Sequence, residues 1–322
     1  MPTEVISTIR ASGGDYTTLS AWEAGEQRNL VTADEIAVAV CYNDWPSGLN
    51  DNVTVAGWTT DATRYVKITV AEGHRHDGAP QSGFWITRTT AAQVVRSGQT
   101  GTVIEWVDAF SNNTSATDGR AFYLTAAGTV RNCIARSAYT GSSTINFCLD
   151  STAASDVIGC LSIGGYNGVR TNGRILNCVV TGATLGVVRS SLLTVKNTVS
   201  YNNTTNWGSG SYDAGSSNNA TSSATDDTPN ANVGITGVTS ADFANAAAND
   251  FHLSSGSVLR GAGVNLYSDF TTDIDGDTWP SSGAWDIGFD HYVAAGGSLT
   301  IDSITASNIT SSGARITLGL TR

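Results

Sequence analysis

The stretch VRNCIARS, residues 130–137, recurs in altered form at three later points in the chain. The related stretches are VIGCLSIG (157–164), ILNCVVTG (175–182) and VKNTVSYN (195–202). Their shared fourth position is held by Cys133, Cys160, Cys178 and Thr198, which lie 27, 18 and 20 residues apart. A variable period near twenty residues is typical of one supersecondary unit that is stacked on copies of itself.

Each repeat between residues 119 and 203 pairs two short strands, which are joined by Gly, Ser, Thr or Asn turns. Short strands separated by bends, with the same residue types in every turn, indicate a parallel β-helix, in which each strand pairs with its equivalent in the next coil. Neighbouring coils lie about 4.8 Å apart, so a small apolar side chain fills an internal column without strain. The sequence therefore predicts an all-β solenoid with Cys133, Cys160 and Cys178 in one column and Thr198 at its end.

Asparagine precedes the shared position in three of the four stretches, as Asn132, Asn177 and Asn197. Two interpretations are open. Outward-facing amides can stack into a ladder, as they do in cross-β structures, or asparagine simply marks the bends between strands.

The composition restricts the classes of partner. The net charge of −11 and the pI near 4.6 disfavour nucleic acid and anionic membranes, which require clustered Lys and Arg. The five cysteines form no C-x-x-C pair, so the sequence favours buried apolar cysteines over disulfides or zinc. The opening residues, MPTEVISTIRASGGD, show no basic and apolar signal pattern, and no apolar run is long enough to span a membrane.

The chain divides into three predicted regions. Residues 1–35 form an N-terminal cap with a short helix after Thr17 or Thr18, in which Leu19, Trp22 and Leu30 face inward. Residues 36–293 form the β-helix, interrupted by a polar, low-complexity loop at 204–232. Residues 294–322 alternate as two strands.

Several motifs resemble a known family. GGDYTTLSAWEAG near the start, the N-C-I and N-C-V coils, DFHLSSGSVLRGAG, and TDIDGDTWPSSGAWDIGFDHY together resemble right-handed parallel β-helix proteins of the pectate-lyase-like superfamily, of the kind found in bacteriophage structural proteins. The resemblance covers about residues 5–293. The C-terminal stretch resembles the first two strands of a fibronectin type III module, which either continues further or completes a sheet with another chain.

The resemblance implies two kinds of enzyme chemistry. A lyase on this scaffold uses calcium-binding carboxylates with an arginine base, and a hydrolase uses paired acids. The best lyase-like group in the repeats is Asp150 with Arg170 and Arg189, which fall on strands one and two coils later. One carboxylate with two arginines does not make a metal site, so surface charges near turns are the favoured interpretation.

Three further groups are candidate ligand sites. Asp273, Asp275 and Asp277 alternate around Gly276 like the start of a calcium loop, but Ala284 stands where the closing Glu would be. The stretch GHRHDG holds two histidines, and its glycines favour a solvated turn over a metal site. Trp207, in a polar stretch, is the candidate for stacking on a glycan.

The favoured function is a noncatalytic component of a tailed-phage virion, such as a capsid decoration, fibre or tail-associated protein, released by lysis. Its expected partners are other virion proteins, further copies of the chain, with a trimer the expected oligomer, and cell-surface polysaccharide. No cofactor is expected apart from a candidate structural Ca²⁺. The alternatives are a polysaccharide lyase or depolymerase on the same scaffold, and a glycan-binding adhesin.

Overall fold

The structure, a computed structural model, describes residues 1–90, 93–114, 119–139, 141, 147–189, 193–208, 212–225, 227–229 and 234–294. Residues Met1–Tyr292 form one compact unit. The second unit, Val293–Arg322, contains the two predicted fibronectin-like strands, which lie outside the described residues. Within the described ranges no helix is both long and apolar enough to cross a membrane.

Short strands make up most of this unit. The first coils contain β1 (Thr3–Ile9), β2 (Glu35–Cys41), β3 (Leu49–Asn50), β4 (Val53–Val55), β5 (Val66–Val70), β6 (Trp85–Arg88), β7 (Val95–Ser97), β8 (Thr102–Glu105), β9 (Asp108–Ser111) and β10 (Phe122–Leu124). The repeat region contains β11 (Gly128–Arg131), β12 (Ile134–Ser137), β13 (Phe147–Ser151), β14 (Asp156–Ile158), β15 (Leu161–Gly164), β16 (Asn167–Thr171), β17 (Arg174–Leu176), β18 (Val179–Thr181), β19 (Leu185–Arg189), β20 (Thr194–Lys196), β21 (Val199–Tyr201), β22 (Thr205–Trp207) and β23 (Ala220–Thr221). They are accompanied by β24 (Phe243–Asn245), β25 (Asp250–Leu253), α1 (Leu19–Glu26) and α2 (Leu30–Ala33).

The strands form three parallel sheets that run the length of the unit. Sheet I has the order β1-β2-β5-β8-β11-β14-β17-β20, sheet II β4-β7-β10-β13-β16-β19-β22, and sheet III β3-β6-β9-β12-β15-β18-β21-β23. From β2 to β22 the chain passes from sheet I to sheet III to sheet II and back, so each of these coils adds one strand to each sheet. This arrangement is a parallel β-helix and confirms the predicted fold class.

The cysteine column is confirmed by the strand register. Ile134, Leu161, Val179 and Val199 pair in succession, so the residues before them stack along the axis. The backbone N–H of Cys160 donates to Sγ of Cys178, and that of Cys178 donates to Oγ1 of Thr198, both at 3.4 Å. All five cysteines are buried free thiols, and burial raises the pKa of the Cys133 and Cys178 thiols well above its usual value, which makes the column chemically inert.

The asparagines form the bends between sheet I and sheet III. Asn132, Asn177 and Asn197 have φ of 49°, 47° and 51°, in the left-handed region that asparagine and glycine tolerate best. Gly159 takes this position in the second repeat, with φ of 58°, and it interrupts the predicted ladder. One rung remains, because Nδ2 of Asn197 donates to Oδ1 of Asn177 at 3.0 Å. All three asparagines therefore mark bends, and two of them, Asn177 and Asn197, also form one rung of the predicted ladder.

The N-terminal region differs from the predicted cap in one respect. Helix α1 begins after the N-cap Thr18, whose hydroxyl accepts from the N–H of Ala21, and Leu19, Trp22 and Leu30 are buried as expected. However, β1 pairs with β2 along its whole length, from Thr3 to Ile9. Sheet I therefore begins at residue 3, within the predicted cap. Of the apolar side chains of β1, Ile9 is buried in the core, whereas Ile6 is exposed.

The predicted loop at 204–232 also contributes to the solenoid. Strand β22 extends sheet II, where Trp207 pairs with Val187, and β23 extends sheet III, where Ala220 pairs with Val199. The side chains of Trp207 and Ala220 are buried, so burial of two apolar positions orders strands within a polar sequence.

A C-terminal strap, residues 254–292, covers the outside of the bends. Nδ2 of Asn177 donates to the carbonyls of Asp286 and Gly288, at 3.2 and 2.8 Å. Nδ2 of Asn197 donates to the carbonyl of Val264 at 2.8 Å. Apolar side chains of the strap also pack on the outer face of sheet I, and this cluster comprises Ile158, Leu176, Leu266, Phe270, Trp279 and Trp285.

Candidate functional site

A row of polar side chains runs along the outer face of sheet II. Arg96, Tyr123, Asp150 and Arg170 pair in register on β7, β10, β13 and β16. Their neighbours along each strand are buried core residues, and side chains alternate between the two faces of a strand. With Arg120, which joins this row from the turn before β10, we call these residues the sheet II ridge.

Asp150 lies at the centre of the ridge and its side chain is fully buried. Arg170 donates from Nε to Oδ1 at 2.7 Å and from Nη2 to Oδ2 at 2.9 Å. Arg120 forms a second ion pair, with Nε 2.8 Å from Oδ2. The structure therefore brings Asp150 and Arg170 together as the sequence suggested, but as a buried ion pair and not as exposed turn charges. Both carboxylate oxygens are engaged by guanidinium groups.

Arg189, the third member of the predicted trio, lies on β19 in the next coil. It pairs with Thr171, one position beyond the Arg170–Val188 pair. Its side chain is outside the described part of the structure.

Sequence reasoning missed Arg120 and Arg96. Both contact the Tyr123 ring within cation–π range, with Cζ of Arg120 at 4.2 Å and Cζ of Arg96 at 5.7 Å from its centroid. The signal that could have revealed Arg96 is the register, which aligns VVRSG with AFYL and NFCLD in successive coils. Arg120 lies before β10 and outside this register, so no such signal marks it. The ridge carries three arginines against one aspartate, so it is locally cationic on a chain of net charge −11.

Sheet III holds a comparable buried ion pair. Asp108 accepts from Nε and Nη2 of Arg136, both at 2.8 Å, and from the N–H of Gln81 at 2.8 Å. Burial raises the pKa of Asp108, and the Arg136 guanidinium opposes this shift. The Arg136 side chain also lies over the Phe110 ring, at 4.4 Å. Bidentate arginine pairs of this kind fix side chains on the outer sheet faces.

The predicted calcium carboxylates do come together in the strap. One oxygen from each of Asp273, Asp275 and Asp277 lies within 4.8 Å of the others. However, Asp273 is buried, with Oδ1 accepting from the N–H groups of Gly276 and Asp277 at 3.0 and 2.7 Å. Its Oδ2 accepts from the N–H of His291 at 3.1 Å, and burial raises its pKa to about 10. Asp273 thus holds the turn, and binding of calcium here stays a prediction.

A second cluster overlaps with the first and was missed by sequence reasoning. His252 on β25 lies beside Asp275 and Asp290 of the strap, with one ligand atom from each within 4.8 Å of the others. Burial raises the pKa of Asp290 to about 6. Burial opposes protonation of His252, but Asp290, Asp250 and Asp275 together raise its pKa. No spacing in the sequence signals this group, because its members lie on separate segments.

The sequence predicted a solvated GHRHDG turn, but the structure buries part of it. His74 is half-buried, where its Nδ1 accepts from the N–H of Asn43 at 3.2 Å. His76 is buried beside the Trp106 ring, at 6.3 Å between centroids, and burial lowers its pKa to about 4. Within the described ranges, these two histidines do not combine with Asp77 into a group of metal ligands.

Trp207 requires a correction. Its side chain is 5 % exposed and belongs to the core, with the Tyr212 ring edge-on at 6.4 Å. The expectation that it is an exposed ring is wrong, because β22 directs it inward into the last coil. A sugar has no access to its face in this conformation.

Comparison with known proteins identifies a similar solved structure but no family. No protein-family model and no curated protein matches this chain. Among solved structures, the crystal structure of pectate lyase Pel9A is similar with a TM-score of 0.48 and 16 % sequence identity, covering 91 % of this chain and 97 % of that one. At this distance the comparison does not bear on activity, and the assignment of the β-helix rests on the strand pairing described above.

Proposed function

We propose that this protein is a noncatalytic structural component, a rigid β-helical rod that works within a larger extracellular assembly. The virion of a tailed phage, where the rod serves as a capsid decoration, fibre or tail-associated protein, is the setting that the sequence favours. Other virion proteins and further copies of the chain, as a trimer, are the proposed partners.

One observation carries the noncatalytic part of the proposal. Asp150, the carboxylate of the predicted catalytic trio, is fully buried and held by Arg120 and Arg170. A carboxylate that binds a metal or moves a proton requires a free oxygen near the substrate, whereas both oxygens of Asp150 accept from arginine. The pair is of the kind that fixes a surface and costs stability when broken.

A second function, contact with an acidic polysaccharide, is favoured by a different observation. Arg96, Tyr123 and Arg170 are half-buried and point outward along one face of sheet II. Arg96 and Arg170 lie three coils apart on this face. A guanidinium group binds a carboxylate of a uronate chain, and the tyrosine offers a ring face for a sugar. Either an adhesin or a lyase would use this ridge.

The decisive experiment incubates the protein with polygalacturonate and alginate, with and without Ca²⁺, and follows absorbance near 235 nm. We expect no increase. A steady increase that Arg170→Gln abolishes and Arg131→Gln preserves would overturn the noncatalytic proposal and place a lyase on the ridge. Arg131 is a suitable control because it lies on sheet I, paired with Glu105.

The assembly role is tested separately. Particles purified by density from a lysed culture of the source organism are examined by mass spectrometry and cross-linking. We expect the chain in the particles, cross-linked to other virion proteins. Its recovery only as free protein would contradict the virion setting without affecting the test for catalysis.

A further inference from the structure

The cluster of His252, Asp275 and Asp290 lies where the strap meets the β24–β25 pair. His252 comes from β25, and the two aspartates come from the strap. One ligand atom from each residue lies within 4.8 Å of the other two. A bound cation with metal–ligand distances of about 2.0–2.2 Å would draw the three atoms closer together.

The orientation of His252 is fixed by a neighbouring carboxylate. Nδ1 lies 2.6 Å from Oδ1 of Asp250, so in the neutral ring Nδ1 carries the proton and Nε2 carries the lone pair. A histidine that binds a metal through one nitrogen usually donates the other N–H to a carboxylate or carbonyl. Asp250 and His252 have this relation.

Nε2 of His252 has no hydrogen-bond partner within the described part of the chain and is shielded from solvent. The nearest acidic atom is Oδ2 of Asp275 at 3.8 Å, too far for a hydrogen bond. Gly78 closes this side of the cluster, since a Cβ at residue 78 would lie 2.6 Å from Nε2. A buried nitrogen lone pair that faces carboxylates is unfavourable unless a proton or a metal cation lies between them.

Asp290 is the buried member of the cluster. Its Oδ2 accepts from the N–H of Leu253 at 2.6 Å, which holds the carboxylate beside β25. The other titratable groups near His252 and Asp275 include Asp250, Asp273, Asp77 and the buried His76.

We propose that His252, Asp275 and Asp290 bind one divalent transition-metal cation, of the Zn²⁺ or Mn²⁺ class, with Asp250 as the residue that positions His252. One imidazole and two carboxylates are the donors that these metals accept, whereas Ca²⁺ takes oxygen ligands. The two carboxylates balance the charge of the cation. This site differs from the Asp273, Asp275 and Asp277 group, because three backbone N–H groups occupy the oxygens of Asp273.

The position of the site gives the metal a structural role. It would join β25 to both the middle and the end of the strap, and the strap covers the bends at Asn177 and Asn197. Bound metal would therefore hold the strap in place over the solenoid.

The test uses the full chain, treated with EDTA and dialysed, and titrated with ZnCl₂, MnCl₂ and CaCl₂ by calorimetry. We expect one saturable Zn²⁺ or Mn²⁺ site per chain and a melting temperature that increases with the free metal concentration. His252→Gln and Asp275→Asn should abolish the site. Asp277→Asn is the matched control, since Asp277 belongs only to the other carboxylate group, and it should bind as the wild type does.

Asp250→Asn tests the positioning role. We expect the stoichiometry to be retained and the affinity to fall roughly tenfold, the effect typical of losing the carboxylate behind a metal-bound histidine. A purely structural Asp250 would instead lower the melting temperature and leave the affinity unchanged.

Three outcomes would overturn the proposal. The first is the absence of saturable Zn²⁺ or Mn²⁺ binding to the folded wild type, which would leave a protonated His252 paired with Asp250. The second is metal binding that survives in Asp275→Asn, a variant that decides the question even if His252→Gln fails to fold by circular dichroism. The third is Ca²⁺ binding lost in Asp277→Asn but kept in His252→Gln, which would assign the oxygen-only group.

Discussion

The bend asparagines combine two physical roles in one side chain. Asparagine tolerates the left-handed backbone that each bend requires, and its amide provides one acceptor and two N–H donors for neighbouring chain segments. At Asn177 these contacts are buried, with Nδ2 donating to two carbonyls of the strap and Oδ1 accepting from Asn197. Asn202 has the same backbone, with φ of 53°, but its side chain is exposed.

This contrast separates the two roles. Replacement Asn202→Ala removes only the backbone preference and should cost about 1–2 kcal/mol. Asn177→Ala also leaves buried partners unsatisfied and should cost about 3–5 kcal/mol in total. Chemical denaturation of both variants measures the difference, and equal costs would show that the buried hydrogen bonds contribute little.

His76 makes stability depend on pH. Burial lowers its pKa to about 4, so below the unfolded pKa of about 6.5 the unfolded chain takes up a proton that the folded chain does not. The contribution of the neutral ring is complete above pH 6.5 and is lost as the pH falls towards 4. Over this window it amounts to roughly 3 kcal/mol.

The free energy of unfolding is measured against pH for the wild type and for His76→Gln. Both proteins contain the same other titrating groups, including Asp273 and Asp290, so the difference between their profiles isolates His76. Relative to the variant, the wild type should lose roughly 3 kcal/mol of unfolding free energy between pH 7 and pH 4. Parallel pH profiles of the two proteins would contradict a buried neutral His76.

At the scale of elements, each strand is stabilised by its neighbours in the coils on either side. Inward positions are filled by apolar columns, and outward positions carry ion pairs that differ in burial. Asp150 on β13 is fully buried between Arg120 and Arg170, whereas Asp156 on β14 and its partner Arg174 are 30 % and 39 % exposed. The solvent around the second pair screens the charges, so the two pairs should differ in strength.

Replacement Asp150→Asn leaves two arginines without their buried counter-charge and should destabilise the unit by about 3–5 kcal/mol. Asp156→Asn should cost less than about 1 kcal/mol, since Arg174 is partly solvated and keeps Asp269 as a partner. Urea denaturation midpoints provide the comparison. If both variants lost the same stability, the burial of Asp150 would not explain its role on sheet II.

At the scale of the whole unit, the strap packs on the solenoid through hydrogen bonds and apolar contacts. The bends of the repeat region present asparagine amides and the apolar side chains of Ile158 and Leu176, and the strap covers both. Within the strap, Trp279 and Trp285 stack with centroids 4.5 Å apart, and Nε1 of Trp285 donates to the carbonyl of Pro280 at 2.8 Å.

Trp285→Ala should cost about 3–5 kcal/mol, as expected for removal of a large buried aromatic side chain. We expect faster hydrogen exchange and proteolysis in residues 254–292, with the three sheets still protected. Tyr267→Ala is the control, because Tyr267 is the exposed aromatic of the strap and its loss should leave both measurements unchanged. Loss of protection across the sheets as well would show that the strap and solenoid unfold as one.

The sequence left open whether the asparagines mark bends or form a ladder, but by itself it determined the solenoid and the cysteine column. It could do so because stacked coils place equivalent residues on one another, so that a repeat in sequence becomes a contact in space. The helix cap at Thr18 followed in the same way from local chemistry. The pairing of β1 with β2 and the strands within 204–232 were missed. In the second case, burial of Trp207 and Ala220 overrode the local polarity.

Only the tertiary structure decided the sites. Arg120 meets Asp150, and His252 meets Asp275 and Asp290, across intervals that no local motif spans. The burial of Trp207 and of His76 likewise depends on how the tertiary structure packs each ring. Charge, burial and ligand geometry are properties of neighbours in space, and outside the repeat this chain brings those neighbours together from separate segments.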